Sequence, residues 1–368
     1  MLKEEIIPLI REFSDRSIQW LLETPDNVRC ILLITASELA ERIDYTRLKC
    51  INKTFISDDL QKHEADMIFT APFSDKADNN PKEVIIYILI EHQSSVDPEM
   101  AFRILSYMVG IWETQRREWK NNNVPINQRK FRPILPVVFY TGSRTWDSPL
   151  DMRQLIELPD SFGQFVYQPN ILFLNLKATE PNKLVEQEHP FGWVLRLIQK
   201  EDAKSEEFEE ALQLATYHLE QIPPEERANW EKLMWFILTL IYNRRKPDER
   251  SEFVKIVENN VNDKNRKEDI SKMGRTIAQE LIEEGKQIGI ELGKEIGKEI
   301  GKELGKELGK ELGTITTKQD DLIRLLKIRF GKDSEMLVEK IRSINQVDQL
   351  DELFDRAVVA EKLADVGI

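Results

Sequence analysis

Val84-Ile85-Ile86-Tyr87-Ile88-Leu89-Ile90-Glu91-His92-Gln93-Ser94-Ser95 is a run of seven apolar residues that stops abruptly at a charged and polar exit. A run this continuous is unsuited to a strand with one face in water, so it predicts a central strand buried on both faces. Upstream, Ala65-Asp66-Met67-Ile68-Phe69 predicts a neighbouring strand that carries a carboxylate, and an Asp- and Asn-rich loop from Pro72 to Pro81 joins the two. Downstream, Ile134-Leu135-Pro136-Val137-Val138-Phe139-Tyr140 stops at Thr141-Gly142, and Ile171-Leu172-Phe173-Leu174-Asn175-Leu176 lies past a proline-containing loop. These predict two further strands. Between the pairs, Asp97-Pro98-Glu99 reads as an N-cap with proline at the first helical position, opening a helix through about Trp119.

Residues 1–50 have a helical pattern. Ile6, Ile7, Leu9, Ile10 and Phe13 are followed by Ile18, Leu21 and Leu22; Thr24-Pro25-Asp26-Asn27 then punctuates the chain, and a second amphipathic helix runs to about Ala40. The order helix, strand, strand, helix, strand, strand predicts an α/β unit, a mixed sheet flanked by helices. From about Phe191 to Asn260 the spacing of Trp193, Leu195, Leu212, Trp230 and Phe236 turns helical.

With 368 residues, two or three units are expected. The boundaries read 1–180 for the sheet-containing core, 181–280 for a helical extension, 281–314 for a repeat and 315–368 for a small helical C-terminal domain. Cys30 and Cys50 are too few for a disulfide framework and read as core thiols of a reducing cytoplasm. No stretch has 18 consecutive apolar residues and the start shows no signal peptide, so a cytoplasmic protein without a membrane span is expected.

The net charge of −13 argues against a nucleic-acid partner, but the balance is local. Between Arg103 and Arg144 stand eight basic residues, including Arg116, Arg117 and Lys120, against Glu113 and Glu118. Such a run suits a phosphate backbone, and equally a solvated helix face with a polar loop.

From Gly285 to Gly313, glycine recurs every four residues, mostly as Gly-Lys-Glu-Ile/Leu. A four-residue period advances a helix by about 40° per repeat, so the apolar stripe from Ile288 to Leu312 winds slowly round the axis. Each glycine costs a helix about 1 kcal/mol relative to alanine, and each Glu–Lys pair returns only about 0.2–0.5 kcal/mol. Two readings stand: a marginal helix that dimerises or docks, and a flexible spacer. A homo-oligomer would form through 285–313 or through the C-terminal helices. Those helices are expected over Leu322–Phe330, closed by Gly331, then Leu337–Ile344 and Val347–Leu363.

Asp66 and Glu91 sit on neighbouring strand-like runs, and strand alternation puts Glu91 and Gln93 on one face. Two carboxylates on adjacent strands can hold a hard cation such as Mg²⁺, which neutralises a scissile phosphate and activates water. Gln93 can orient that water without lowering its pKa. Carboxylates merely solvated at strand ends fit the same spacing. His63, His92, His189 and His218 lack metal-ligand spacing, the Gly-Lys repeats are not a phosphate-binding loop, and Trp146 reads as a loop anchor.

Three blocks carry a resemblance: Glu64–Phe69, Ile88–Tyr107 with Glu91-His92-Gln93-Ser94-Ser95 followed by Arg103 and Tyr107, and Leu135–Gly142. They resemble the Rpn family of recombination-promoting nucleases, also called YhgA-like transposases, over about 14–178. That family is similar to the PD-(D/E)XK nuclease superfamily. The resemblance implies a restriction-endonuclease-like core and a metal-dependent DNA endonuclease linked to recombination or transposition. It implies that Asp66, Glu91 and the backbone carbonyl of His92 ligate Mg²⁺ or Mn²⁺, with Gln93 where the superfamily usually has lysine. Arg103, Arg116, Arg117 and Lys120 are then expected to meet DNA. The family commonly opens with His-Asp-x-x-Phe-Lys; here the positions read Ser14-Asp15-Arg16-Ser17-Ile18-Gln19, which retains Asp15 as a catalytic candidate and puts Gln19 in place of lysine. The alternative is a catalytically weak or inactive nuclease fold that acts as a DNA- or protein-binding regulator.

Overall fold

The computed structural model describes residues 13–51, 54–57, 60–64, 67–74 and 83–368, without the side chains of residues 14, 15, 54–57, 60–64, 160, 332 and 334. The expected helical residues Ile6–Ile10, the Asp66 position and most of the Asp- and Asn-rich loop lie outside them. The chain divides after Glu283 into two compact units.

In the first unit, helices α1 (Phe13–Leu22) and α2 (Pro25–Ala40) precede strand β1 (Lys49–Cys50), the two-stranded hairpin β2 (Thr54–Ser57) and β3 (Leu60–Glu64), then β4 (Met67–Ser74) and β5 (Glu83–Gln93). Helix α3 (Met100–Asn121) connects β5 to β6 (Ile134–Tyr140), and β7 (Leu172–Asn175) follows. The main sheet has the order β1-β4-β5-β6-β7, with β5 in the middle. It is mixed: β4 pairs antiparallel to β5 from Met67↔Ile90 to Ser74↔Glu83, and β5 pairs parallel to β6 from Tyr87↔Ile134 to Gln93↔Tyr140. The hairpin and β1 have no counterpart in the sequence reading, because each is a short strand without a sustained apolar run.

β5 is buried on both faces as a central strand requires, and alternate residues join different cores. Ile86, Ile88 and Ile90 join a core with Val137, Phe139 and the helices beneath, whereas Tyr87 and Leu89 pack with Ile68, Val138 and the Met100, Ile104, Met108, Ile111 face of α3. Two expectations are corrected. β4 runs through Pro72 to Ser74, where a loop was predicted to start at Pro72. The Pro72 carbonyl accepts from Asp44 N at 2.9 Å, so this residue's backbone groups face away from β5 and its missing N–H costs no bond to that strand. Cys50, expected in the core, is exposed on edge strand β1, while Cys30 is buried, which pushes its thiol pKa up.

Beyond β7, α4 (Pro181–Val185), α5 (Pro190–Gln199), α6 (Ser205–Glu220), α7 (Arg227–Arg244), α8 (Pro247–Asn260) and the start of α9 (Lys264–Phe330) pack onto the sheet's Ile88 face. In α7 every residue from Leu233 to Ile241 is buried, as expected of a helix surrounded by others. In the second unit the end of α9, α10 (Val338–Arg342) and α11 (Val347–Val359) enclose Leu322, Leu326, Ile341, Leu350 and Leu353. Gly331, at φ +59°, ends α9 with a backbone angle that suits glycine. The repeat, 285–313, is helical and exposed throughout. Among the described residues, no helix is long and apolar enough to cross a membrane.

Candidate active site

The C-terminal end of β5 delivers two polar side chains to the α3 side of the sheet. Glu91 continues the Tyr87, Leu89 face and is completely buried. A charge removed from water this far requires a partner of opposite sign. Arg103, one turn into α3, supplies it: its Nη2 donates to Glu91 Oε1 and its Nη1 to Asp97 Oδ2 at 2.6 Å. Tyr107, one turn further along and also buried, accepts from Arg103 Nη2 at 3.1 Å through its hydroxyl. Gln93 Nε2 donates to the same Glu91 oxygen at 3.3 Å. Burial alone would lower the Arg103 pKa; the Asp97 hydrogen bond, then the charge of Glu91, raise it instead. The guanidinium is therefore a fixed cation spanning two carboxylates, and the trio carries a net charge of −1.

Asp97 does not have the role the sequence suggested. Its Oδ1 accepts from Glu99 N at 2.8 Å and its carbonyl from Met100 N at 3.4 Å, closing a turn. The helix opens at Met100 with Glu99 as its cap. This displacement by two residues leaves the other Asp97 oxygen to Arg103. The sequence reading gave Asp97 no place in the site and Tyr107 no task; the four-residue spacing of Arg103 and Tyr107 on one helix was the available signal.

His92 points to the other face. Its Nε2 lies 2.8 Å from Thr141 Oγ1 and its ring 5.5 Å from that of Phe139. Thr141 N donates to Gln93 O at 2.9 Å, tying the ends of β5 and β6 together. Gly142 follows because a Cβ there would stand 2.4 Å from Ser94 O. These two strand ends line one side of a cavity of about 280 Å³, with Phe13, Phe236, Glu201 and Arg244 opposite. Trp146 anchors its loop, its Nε1 donating to Ser148 O at 2.7 Å and its ring set edge-on to Tyr140.

The structure thus brings together Glu91, Gln93 and Arg103 of the expected residues. Arg116, Arg117 and Lys120 do not join them: Arg116 lies 13 residues beyond Arg103, about 20 Å along α3. Asp66 lies outside the described residues, immediately before Met67, the partner of Ile90. The side chain of Asp15 lies outside them as well. Among the described residues no three His, Cys, Asp or Glu side chains cluster as metal ligands. The chemistry of Glu91 nevertheless fits a hard cation: an anionic oxygen donor, in a cluster still negative after Arg103 is counted.

The chain is 25% identical over 188 residues to recombination-promoting nuclease RpnD of Escherichia coli O157:H7, covering 50% of this chain and 66% of that protein. It is 26% identical over 165 residues to recombination-promoting nuclease RpnC of Escherichia coli strain K12, covering 44% and 49%. It is also 26% identical over 189 residues to the inactive recombination-promoting nuclease-like protein RpnE of the same strain, covering 50% and 57%. The chain thus spans about half to two thirds of the length of these relatives. No solved structure matches it. A family model described as "Putative transposase, YhgA-like" matches residues 13–228, more than half of the chain, and the chain belongs to that family.

Proposed function

We propose that this protein is a metal-dependent DNA endonuclease acting in recombination or transposition. The observation that carries this reading is the buried Glu91 carboxylate at the exit of the central strand, held by Arg103 and Gln93 in a cluster of net charge −1. Glu91, with Asp66 and the His92 carbonyl, would hold Mg²⁺ or Mn²⁺; when bound, the ion would supply charge neutralisation on the phosphate and an activated water. Arg103 fixes the Glu91 carboxylate in one orientation, and Tyr107 fixes Arg103. Gln93 offers an amide beside the same oxygen, able to orient water but not to lower its pKa. Names of relatives support the nuclease class, and a family implying DNA as substrate supports the partner.

Purified protein incubated with supercoiled plasmid and Mg²⁺ tests the reading. Cleavage is expected, and it should vanish in Asp66→Ala and in Glu91→Ala. Retained cleavage in both variants would refute the assignment of these residues.

One observation favours a second reading. Gln93 brings no positive charge, and Arg103 already neutralises Glu91, an arrangement compatible with a nuclease fold that binds without turnover; one similar protein is itself named inactive. Melting with and without millimolar Mg²⁺ or Mn²⁺ separates the two, because a competent site is stabilised by its ion. An unchanged melting temperature selects the regulator.

A further inference from the structure

At the far end of α3 from Glu91 the surface carries an aromatic group that the proposed chemistry does not use. Trp112, Arg116 and Trp119 share one face of the helix, at successive spacings of four and three residues, and Lys120 follows Arg116 by four along its edge. The loop entering β6 lays Phe131 against both indoles, with ring centroids 5.9 Å from Trp112 and 4.9 Å from Trp119. Half of Phe131 still faces solvent, at 50% exposure.

That exposure is built in. Trp112 Nε1 donates to Arg132 O at 3.1 Å, and Arg132 N donates to Oε1 of the buried Gln115 at 3.0 Å. The Arg132 guanidinium lies 6.0 Å from the centre of the Tyr87 ring on β5. These contacts hold the loop so that Phe131 is displayed in one position, where leaving an aromatic ring in water forgoes the gain of burying it. Around it Arg116, Lys120, Arg129 and Lys130 are all exposed.

Cations around a fixed aromatic face match a ligand that offers phosphates and flat apolar faces together. Duplex DNA offers phosphates and base edges but keeps its base faces stacked; an unpaired strand offers both. A protein partner would complement the aromatic face but leave four cations to be matched by an acidic surface.

We propose that Trp112, Trp119 and Phe131, with Arg116 and Lys120, form a binding surface for an unpaired nucleic-acid strand, one base stacking on Phe131 and the adjacent phosphates meeting the two cations. Tyr87 and Glu91 lie on the same face of β5, four residues or about 13 Å apart. The strand would therefore be held on the sheet side that carries Glu91. The purpose of the surface rests on the nuclease reading, but the binding itself does not.

The test uses the full chain in EDTA, so that no turnover is involved, and anisotropy of labelled probes: a twelve-residue oligo-dT, an oligo-U of equal length, an abasic strand of equal length, and a hairpin duplex. Phe131→Ala is expected to weaken oligo-dT binding about 5- to 150-fold and to leave the abasic strand unaffected. Arg116→Gln with Lys120→Gln should weaken binding of both strands and flatten the salt dependence by about 0.7 log units per charge removed. Oligo-U is expected to bind like oligo-dT, which supports a surface that stacks on any base face. Should Phe131→Ala lower the melting temperature, Phe131→Leu keeps the apolar packing and should still lose the stacking increment. Equal affinity for the abasic strand and oligo-dT in the parent protein would overturn the proposal, as would oligo-dT binding insensitive to Phe131. Loss of plasmid cleavage with strand binding intact would refute the nuclease reading alone.

Discussion

Replacing Arg103 by methionine removes a cation while keeping most of its length and apolar stem. Glu91 is completely buried, and the side chains of Arg103 and Asp97 are 35% and 19% exposed. Breaking a buried pair by removing one partner costs about 3–5 kcal/mol, and the partial exposure of Arg103 places this case at the low end, about 3 kcal/mol. For the first unit, Met1–Glu283, that loss corresponds to a fall of about 5 °C in the melting temperature. Glu91→Gln should cost less, because the amide still accepts from Arg103 and no uncompensated anion remains. The double variant should recover part of the loss, with a coupling of about 0.5–3 kcal/mol in urea unfolding. Adding Mg²⁺ gives the decisive arm: with Arg103 gone, a divalent cation meets less competition at Glu91 and should raise the melting temperature more than in the parent protein. At 100 times its dissociation constant the ion returns about 2.7 kcal/mol. A loss below 1 kcal/mol for Arg103→Met would refute the ion pair as the support of Glu91. A full loss with no extra response to Mg²⁺ or Mn²⁺ would keep the ion pair and remove Glu91 from the proposed metal site.

Gly142→Ala forces a Cβ to within 2.4 Å of Ser94 O and of the Tyr140 hydroxyl, so it should destabilise the β5–β6 ends by more than about 2 kcal/mol in urea unfolding. Gly297→Ala, where a Cβ meets nothing within 4 Å, should instead strengthen its helix by up to about 1 kcal/mol and slow amide exchange across 285–313. Asp26 has its pKa lowered first by a hydrogen bond with His189, Nε2 to Oδ2 2.7 Å. A depressed carboxylate pKa contributes stability above its unfolded value and loses it as pH falls through the folded one, so Asp26→Asn should be less stable than the parent at pH 7, and the difference should shrink as pH falls below the ordinary carboxylate range.

What was legible in the sequence follows from how strongly each element declares itself. The uninterrupted run Val84–Ile90 marks a strand buried on both faces because only such a position tolerates it, and β5 is the middle strand of five. The lysine-bearing β1 and the polar β3 hold no comparable run, and their strand geometry comes from partners rather than from their own side chains. Pro72 hid the end of β4 since composition cannot tell which way a backbone nitrogen faces. Helix starts shift for a similar reason: Asp97 has an N-cap's chemistry, yet spends it on a turn that leaves one carboxylate oxygen for Arg103. Period-two alternation placed Glu91 and Gln93 together; the cation that pairs with Glu91 came from a helix twelve residues on, which no strand period encodes.

The charge arithmetic at Glu91 narrows what the site can do. A lysine at position 93 would add a second cation beside Arg103, and together with Glu91, Asp97 and Arg103 it would make a neutral cluster before any metal arrived. With Gln93 the resting cluster stays negative, which favours cation entry, while Arg103 competes for the same Glu91 oxygen. The two effects predict opposite outcomes for Gln93→Lys. If ion binding limits the protein, the added charge weakens the response of the melting temperature to Mg²⁺ and lowers cleavage. If activation of water limits it, cleavage rises although Mg²⁺ binds less tightly. Measuring both quantities on one variant separates affinity from turnover, which is the distinction between an endonuclease and a nuclease fold that only binds.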